Sequence, residues 1–481
     1  MTRTLSRALG AALLAFTACD RFTTPAAPGA DAGAESPDAG PIAANCLDGE
    51  GPAQGPWVRC AAGAGAATAV ATAVATDSAG NVYVTGAFTQ TIGIGAVTLT
   101  ASGFADILLA KYDAQGKVQW ARRFGGGTRT DDSERGTAVA VAPDGSIFLA
   151  GIFVGIADFG GGYVLQGTPN GFLLKLSPAG DTLWARQGGD FANALAVDAA
   201  GACYLTGKGL GWTRSAADPV LGPLVRFDDS GAVLWELAQQ FEEGRGLAVD
   251  ADGNAVLIGK GGTPELFGLT PDDPPANFSA KVSAAGEVLW AKPYELQATG
   301  VLGVQALPTK QVAAFVLFGQ YAGTEIDLGN GVKVTTGTNE HTYLLTYGPD
   351  GTAQSAQPLG AWGSSYFLLS EDLDLVSGGS CRIDAVLDAT TTLTCPDGNS
   401  AYVARYDPAG KVRWVAQATP ETSLSALAFD PTGNIVAVGQ YSRDRFGKTP
   451  VIDGVALPDL TLGSSTGWLV WKVPAGRAAG P

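Results

Sequence analysis

Any chemistry in this chain rests on carboxylates. Six short segments, "FGGGTRTDDSERG", "QGGDFAN", "QQFEEGRG", "YELQATG", "PLGAWGSS" and "ATPETS", supply Asp131, Asp132, Glu134, Asp190, Glu242, Glu243 and Glu421, with Arg135 and Arg245 beside them. Oxygen-rich groups at one mouth attract a hard cation such as Ca²⁺, or a cationic or sugar-like ligand drawn in by the field. The first segment, with both charge signs inside five residues, is the strongest candidate. Paired carboxylates also serve glycoside hydrolysis, but nothing in the sequence selects a pair.

Other chemistries find little material. His341, in "NEHTYLLTY", is the sole histidine, so no Ser, His and Asp triad can be argued. There is no HExxH, no CxxC, no GxGxxG opening a helix and no EF-hand loop; "DADGNAVLIG" starts like a calcium loop and lacks the later Glu. A net charge of −16 excludes a nucleic-acid partner, because a phosphate backbone is held by Lys and Arg. A basic membrane-surface patch is excluded for the same reason.

Cys203 sits in "GACYLTG", where another segment has Val82 in "GNVYVTG", and reads as a buried strand thiol. Cys46, Cys60, Cys381 and Cys395 admit three pairings. Local closure, Cys46 with Cys60 and Cys381 with Cys395, is the simplest in an oxidising compartment. On the chain-entropy view each loop of about 15 residues contributes about 3 kcal/mol.

The elements that must position these groups are repeats. "ATDSAGNVYVTG", "VAPDGSIFLAG", "VDAAGACYLTG", "VDADGNAVLIG", "LPTKQVAAFVLFG", "SEDLDLVSG" and "FDPTGNIVAVG" end on Gly86, Gly151, Gly207, Gly259, Gly319, Gly378 and Gly439. Regular spacing of this kind, with strand signals inside, means a stacked or circular array. Each unit reads as four strands. The first is made of small or branched residues, as in "TAVAVA", which suits an innermost strand crowded around an axis. A turn rich in Asp, Gly and Asn leads to the second. A variable excursion precedes the third, as in "DILLAKY", and a turn such as "DAQG" leads to the fourth.

That fourth strand carries a tryptophan. Trp120, Trp184, Trp235, Trp290 and Trp414 each follow a Gly by four residues, while the fifth unit has Ser355 there. A two-residue turn between Asp113 and Gly116 sets Trp120 across from Leu109, with Lys111 diagonal and its stem against the ring. These rings are expected as packing anchors. Trp57, in "GPWVRC", has the same cadence but no unit in front of it, and the last unit ends without a fourth strand. The expected fold is therefore an all-β, seven-bladed β-propeller of four-stranded antiparallel blades, closed by an N-terminal outer strand on the last blade. Cys60 would tie that latch to Cys46.

The cadence from "AVATDSAGNVYVTGAF" to "ADILLAKYDAQGKVQWARRFGG" resembles the bacterial SBBP-type β-propeller repeats, from about residue 55 onward. Such proteins are secreted or lipid-anchored, and the resemblance implies a fold more than an activity. The Gly, three residues, then Trp pattern also resembles the tryptophan-docking motif of quinoprotein propellers.

The first residues have Arg3 and Arg7, an apolar run over residues 8–18 and then Cys19, the layout of a secretory signal. "FTAC" resembles the lipobox of bacterial lipoproteins, which implies lipidation of Cys19. Residues 19–45 are Pro, Ala, Gly and Asp with little to bury, a solvated linker. The expected organisation is a signal peptide over 1–18, a lipid-anchored linker over 19–45 and the propeller over 46–481.

The excursions between second and third strands, residues 87–105 and 441–467 among them, leave the same face as the acidic segments. Their apolar alternation, "IGIGAVTLTA" and "VIDGVALPDLTL", predicts added hairpins. The expected function is a binding or interaction module on this loop-rich face, for a protein or glycan at the cell envelope, in a monomer that meets the membrane through its N-terminal lipid alone. No cofactor is firmly implied; Ca²⁺ is the candidate. The alternatives are an enzyme on the same fold, carbohydrate-active or quinone-dependent, and a purely structural envelope protein.

Overall fold

The computed structural model describes residues 56–63, 66–126, 134–209, 223–237, 241–268, 276–294, 298–318, 325–335, 341–359, 364–381, 384–395, 399–442, 450–452, 455–457, 460 and 466–476. Among these the chain is all β apart from one helical turn, Pro264–Phe267. Among the described residues the strands pair in antiparallel sheets built on a repeated run of four strands, some lengthened by an added strand or hairpin. The first pairs Ala69–Thr76, Val82–Phe88, Asp106–Tyr112 and Val118–Phe124 in that order, each antiparallel to the next. Five further units open on Arg135–Val141, Phe191–Val197, Glu243–Val249, Ala298–Ala306 and Ser364–Leu369. The last unit in chain order joins Thr422–Phe429, Ile435–Ser442 and Thr466–Val473 to a strand from the far end of the chain. That strand is Trp57–Gly63, with Trp57 opposite Lys472 and Ala61 opposite Trp468. The opening strands touch one another in chain order, and Thr422–Phe429 touches Ala69–Thr76.

Small residues allow this crowding: Ala71, Ala73, Ala138, Ala192, Ala194 and Ala426 are fully buried. Each opening strand also carries a bulge, between Ala71 and Ala73, Gly136 and Ala138, Ala192 and Ala194, Gly244 and Gly246, and at matching places in the rest. A bulge bends its strand and re-aims one residue. Here it drives a carbonyl over the end of the second strand. A Cβ on Gly86, Gly151, Gly207, Gly259 or Gly439 would strike the carbonyl oxygen of Val70, Arg135, Phe191, Glu243 or Ser423. The periodic glycines are thus a steric requirement of the bulge. The bulged residue then bonds to the next unit: Thr72 Oγ1 donates to the Gly136 carbonyl at 2.6 Å, Thr137 Oγ1 to Ala192 at 2.5 Å, and Asn193 Nδ2 to Gly244 at 3.0 Å.

At the outer side of each unit the fourth strand reaches the turn of the following one. The third-to-fourth hairpin closes through Asp113 and Lys117, with a register shift at Lys111 and Tyr112. Trp120 therefore faces Lys111, and Arg122 faces Leu109, which corrects the expected pairing of Trp120 with Leu109. Lys111 Nζ lies over Tyr83 at 5.1 Å, and it is Arg122 that covers Trp120, at 5.4 Å. Rings of Trp57, Trp120, Trp184, Trp235 and Trp290 lie against Gly116, Gly180, Gly231, Gly286 and Gly351 of the next unit. Indole N–H groups donate to turn carbonyls there: Trp57 to Ala114 at 3.1 Å, Trp184 to Asp229 at 3.0 Å, Trp235 to Ala284 at 2.8 Å, Trp290 to Pro349 at 3.1 Å and Trp414 to Ala475 at 3.3 Å. Arg59 adds a fork, Nε to the Gly116 carbonyl at 2.6 Å and Nη2 to Gln115 at 3.1 Å.

A third-strand cation sits beside each of these tryptophans. Lys472 pairs with Asp430 at 2.8 Å and donates to the Ala114 carbonyl at 3.3 Å; Lys281 pairs with Asp250 at 2.8 Å, both pairs buried. Burial opposes the charge on Asp430, yet the bonds from Lys472, Asn434 and Thr432 outweigh it and hold the carboxyl below its usual range. Asp250 is lowered in the same way, against burial, by Lys281 and Asn254. Cys381 and Cys395 are disulfide-bonded, and Cys203 is free and buried. Cys60 is disulfide-bonded, and Cys46, its expected partner, lies outside the described residues.

Two outcomes follow from these joints. Gly116→Ala forces a left-handed residue into the Trp57 ring and should cost roughly 2–5 kcal/mol, whereas Gly433→Ala, with only Ala475 Cβ near at 3.8 Å, should cost roughly 1–2 kcal/mol; urea denaturation of the two variants checks the difference. Because the folded carboxyls of Asp250 and Asp430 titrate below their unfolded values, the stability they add is complete above about pH 4 and is lost as pH falls through the depressed values. Lys472→Met should cost about 3–5 kcal/mol, and adding Asp430→Asn should return part of it and flatten the acid limb of a melting-temperature profile.

Candidate functional site

Antiparallel pairing puts the start of every first strand, the end of every second, the start of every third and the end of every fourth on one face. Equivalent positions on that face carry a carboxylate in three successive units: Glu134, Asp190 and Glu242, each one or two residues ahead of the bulge segment. Each lies against a glycine with left-handed φ. A Cβ on Gly125 (φ 130°) would strike Glu134 Oε2, one on Gly209 (φ 58°) would lie 2.5 Å from Asp190 Oδ2, and one on Gly261 (φ 69°) would lie 2.5 Å from Glu242 Cγ. Glycine is what admits the acidic side chains at these three places.

The three differ in exposure. Asp190 and Glu242 are exposed, while Glu134 is buried at the seam of the first two units. Beside it is Asp106, also buried, with Oδ1 3.1 Å from the Cβ position of Gly125. Asp106 accepts from the Ser102 amide at 2.9 Å and the Gly103 amide at 3.3 Å, and pairs with Arg123 at 2.5 Å. Amides and a guanidinium around this carboxylate fix its position, which suits a brace for the excursion. Glu243 accepts from Asn193 Nδ2 at 3.2 Å and pairs with Arg245 at 3.4 Å, so that residue serves the joint between third and fourth units as well as the mouth. Arg135 opens its strand half-buried, and Glu421, at φ 46°, is half-buried at the same end of the last unit. Asp131 and Asp132 lie outside the described residues. Asp106, Arg123 and Asn193 escaped the sequence reading; the available signal was a polar residue opening or interrupting an otherwise apolar strand.

The excursions on this face brace the preceding unit. Thr91–Ile94 and Val97–Thr100 form a hairpin, and Thr91–Ile94 adds to the edge of Trp57–Gly63 through Ala62 and Gly93. Val451–Ile452 adds to Val412–Thr419 in the same way, and Asp158 bridges to Gly125. His341 opens the strand His341–Tyr347. Among the described residues, no three His, Cys, Asp or Glu side chains gather as metal ligands, and no helix is long and apolar enough to cross a membrane.

No family model matches the chain. A curated relative, the regulatory protein FlaEY of Caulobacter vibrioides, is 31% identical over 115 residues, 22% of this chain and 12% of that protein, so the chain spans only a small part of its length. Solved structures of similar shape include a protein of unknown function from Bacteroides caccae (10% identity, 60% of this chain and 81% of that one, TM-score 0.31). The Dos1 propeller is 10% identical, over 89% of this chain and 96% of its own, with a TM-score of 0.41. A gluconolactonase from Xanthomonas campestris is 14% identical, over 69% and 90%, with a TM-score of 0.34.

Proposed function

We propose that this chain is a seven-bladed β-propeller of the SBBP-repeat kind, latched by the Trp57 strand on its last blade, acting as a binding module on its loop-rich face. Two observations support the ring: the opening strands touch in chain order with the last against the first, and Trp57–Gly63 pairs with Thr466–Val473. The single observation that carries the binding reading is the carboxylate repeated at one position in three successive units, Glu134, Asp190 and Glu242, on the face from which the excursions leave. A rigid scaffold presenting repeated polar groups from loops is the usual way a fold of this kind recognises a ligand. The proposed ligand is a protein or glycan of the bacterial cell envelope, with Ca²⁺ as a bridging ion, and the chain is proposed to hang there as a monomer from a lipid on Cys19, through residues 19–45. Asp131 and Asp132, in the same sequence segment as Glu134, are proposed to belong to the same ligand site.

A glycan array and an envelope pull-down with the mature chain, each with and without Ca²⁺, test this reading. Asp190→Ala with Glu242→Ala, both exposed, should weaken the captured ligand at least about tenfold, a loss of roughly 1.4 kcal/mol, with an unchanged melting temperature. Failure to find any saturable ligand would leave a purely structural role, and turnover of a glycan would replace binding with catalysis.

A further inference from the structure

In six of the joints between described units, a fourth-strand tryptophan is brought to the turn of the next unit. The joint between the fifth and sixth units lacks it. Across a normal unit the row runs Tyr83, Lys111, Trp120; in the fifth unit the same row is Ala313, Thr346, Ser355. Thr346 and Ser355 satisfy each other, hydroxyl to hydroxyl at 2.6 Å.

The receiving side of that joint is nonetheless complete. Gly410 has φ 81°, against 80° at Gly116, and the turn is closed by the same bond, Gly410 N–H to the Asp407 carbonyl at 2.9 Å. Left-handed φ alone demands glycine there, so the glycine by itself marks nothing. The Pro408 carbonyl, however, holds the place from which Ala114, Asp229, Ala284 and Pro349 accept an indole N–H. A narrow cleft opens beside it, lined by Gln357, Leu359, Phe367, Ser377, Tyr406 and Gly410. Gln357, at the place of Arg122, lays its amide over the glycine, Nε2 being 2.9 Å from the position of a Cβ on Gly410. Of the residues that line the cleft, Pro358 is exposed and Gln357 half-buried, so the cleft has a route to solvent.

We propose that this joint binds an indole ring supplied from outside the chain. Its face rests on Gly410, its N–H donates to the Pro408 carbonyl, and the Gln357 amide swings into solvent to admit it. Five other joints fix the chemistry of the occupant, because they bury an indole against the same kind of turn with the same bond. The ring comes either from a small indole compound or from a tryptophan side chain of a partner peptide.

The test is ¹⁹F NMR of 5-fluoroindole titrated with the full mature chain, beside a peptide carrying 5-fluorotryptophan. Saturable broadening of either probe is expected; binding of both assigns a site open to small molecules, and binding of the peptide alone assigns a partner's side chain. Ser355→Trp should fill the cleft from within, abolish binding and raise the melting temperature, and Gln357→Ala should tighten binding several-fold. Should Ser355→Trp fail to fold, Gly410→Ala, whose Cβ occupies the ring's seat, should abolish binding instead. An N-methylated fluoroindole, which has no N–H for Pro408, should bind several-fold more weakly. Absence of saturable binding by both probes, or binding unchanged in Ser355→Trp or Gly410→Ala, overturns the proposal.

Discussion

An indole laid on the turn glycine of the neighbouring unit is the contact on which the rest of this structure depends. A four-stranded sheet satisfies its own backbone within the unit, so nothing in its hydrogen bonding says how the next sheet should stand. The tryptophan supplies that information twice, through a flat apolar area and through one N–H with a single carbonyl in reach. The third-strand cation and the arginine after the tryptophan add bonds to the same turn, as Lys472 and Arg59 do at Ala114, Gln115 and Gly116. Apart from the joint between the fifth and sixth units, each joint is thus set by one ring and the cation beside it, and the same parts serve whether the neighbour is next in sequence or, for Trp57, at the opposite end of the chain.

At the inner edge a different device does the equivalent work. Bulges release a polar side chain from the pleat of the opening strand and aim it at the bulge of the following unit, so that Thr72, Thr137 and Asn193 satisfy carbonyls that the local ladder leaves open. The cost of the bulge is steric, and the glycine at the end of the second strand meets it at Gly86, Gly151, Gly207, Gly259 and Gly439. On the loop-rich face the excursions add strands to the exposed edges of Trp57–Gly63 and Val412–Thr419, which blunts edges that otherwise invite pairing with another chain.

How much of this was legible in the sequence depended on whether a residue acts locally. Strand order, the turn glycines, the fourth-strand tryptophan of all units but the fifth and the hairpins of several excursions recur along the chain, and repetition exposes them to reading. The register of the third-to-fourth hairpin did not read correctly, since the turn closes on Lys117, one residue beyond Gly116, and the pairing shifts by one more at Lys111 and Tyr112; together these leave no compositional trace and yet move Trp120 from Leu109 to Lys111. The bulges were hidden for the same reason, although their shadow, Gly86 and its equivalents, was the very marker used to count units. Asp106 was passed over because its partners, Ser102, Gly103 and Arg123, come from both ends of its hairpin and converge only in three dimensions. Glu134 was singled out as part of an open acidic loop, and its burial against Gly125 depends on a contact between two units that no local pattern encodes.

The distribution of charge joins these levels. The chain is short of basic residues, 30 against 46 acidic, and several of them are committed to joints: Lys175, Lys281 and Lys472 are almost wholly buried, and Arg226 and Arg405 nearly so, each paired with an aspartate near the turn end of its sheet. Cations fixed there cannot neutralise the opposite face. Asp190 and Glu242 stand exposed on that face, with Lys208 and Lys260 exposed at the ends of the adjoining second strands, while Arg123 and Arg245 are held by Asp106 and Glu243. The same buried pairs that set the angle between units therefore keep their cations at the turn end, while charges of both signs stay exposed at the opposite face.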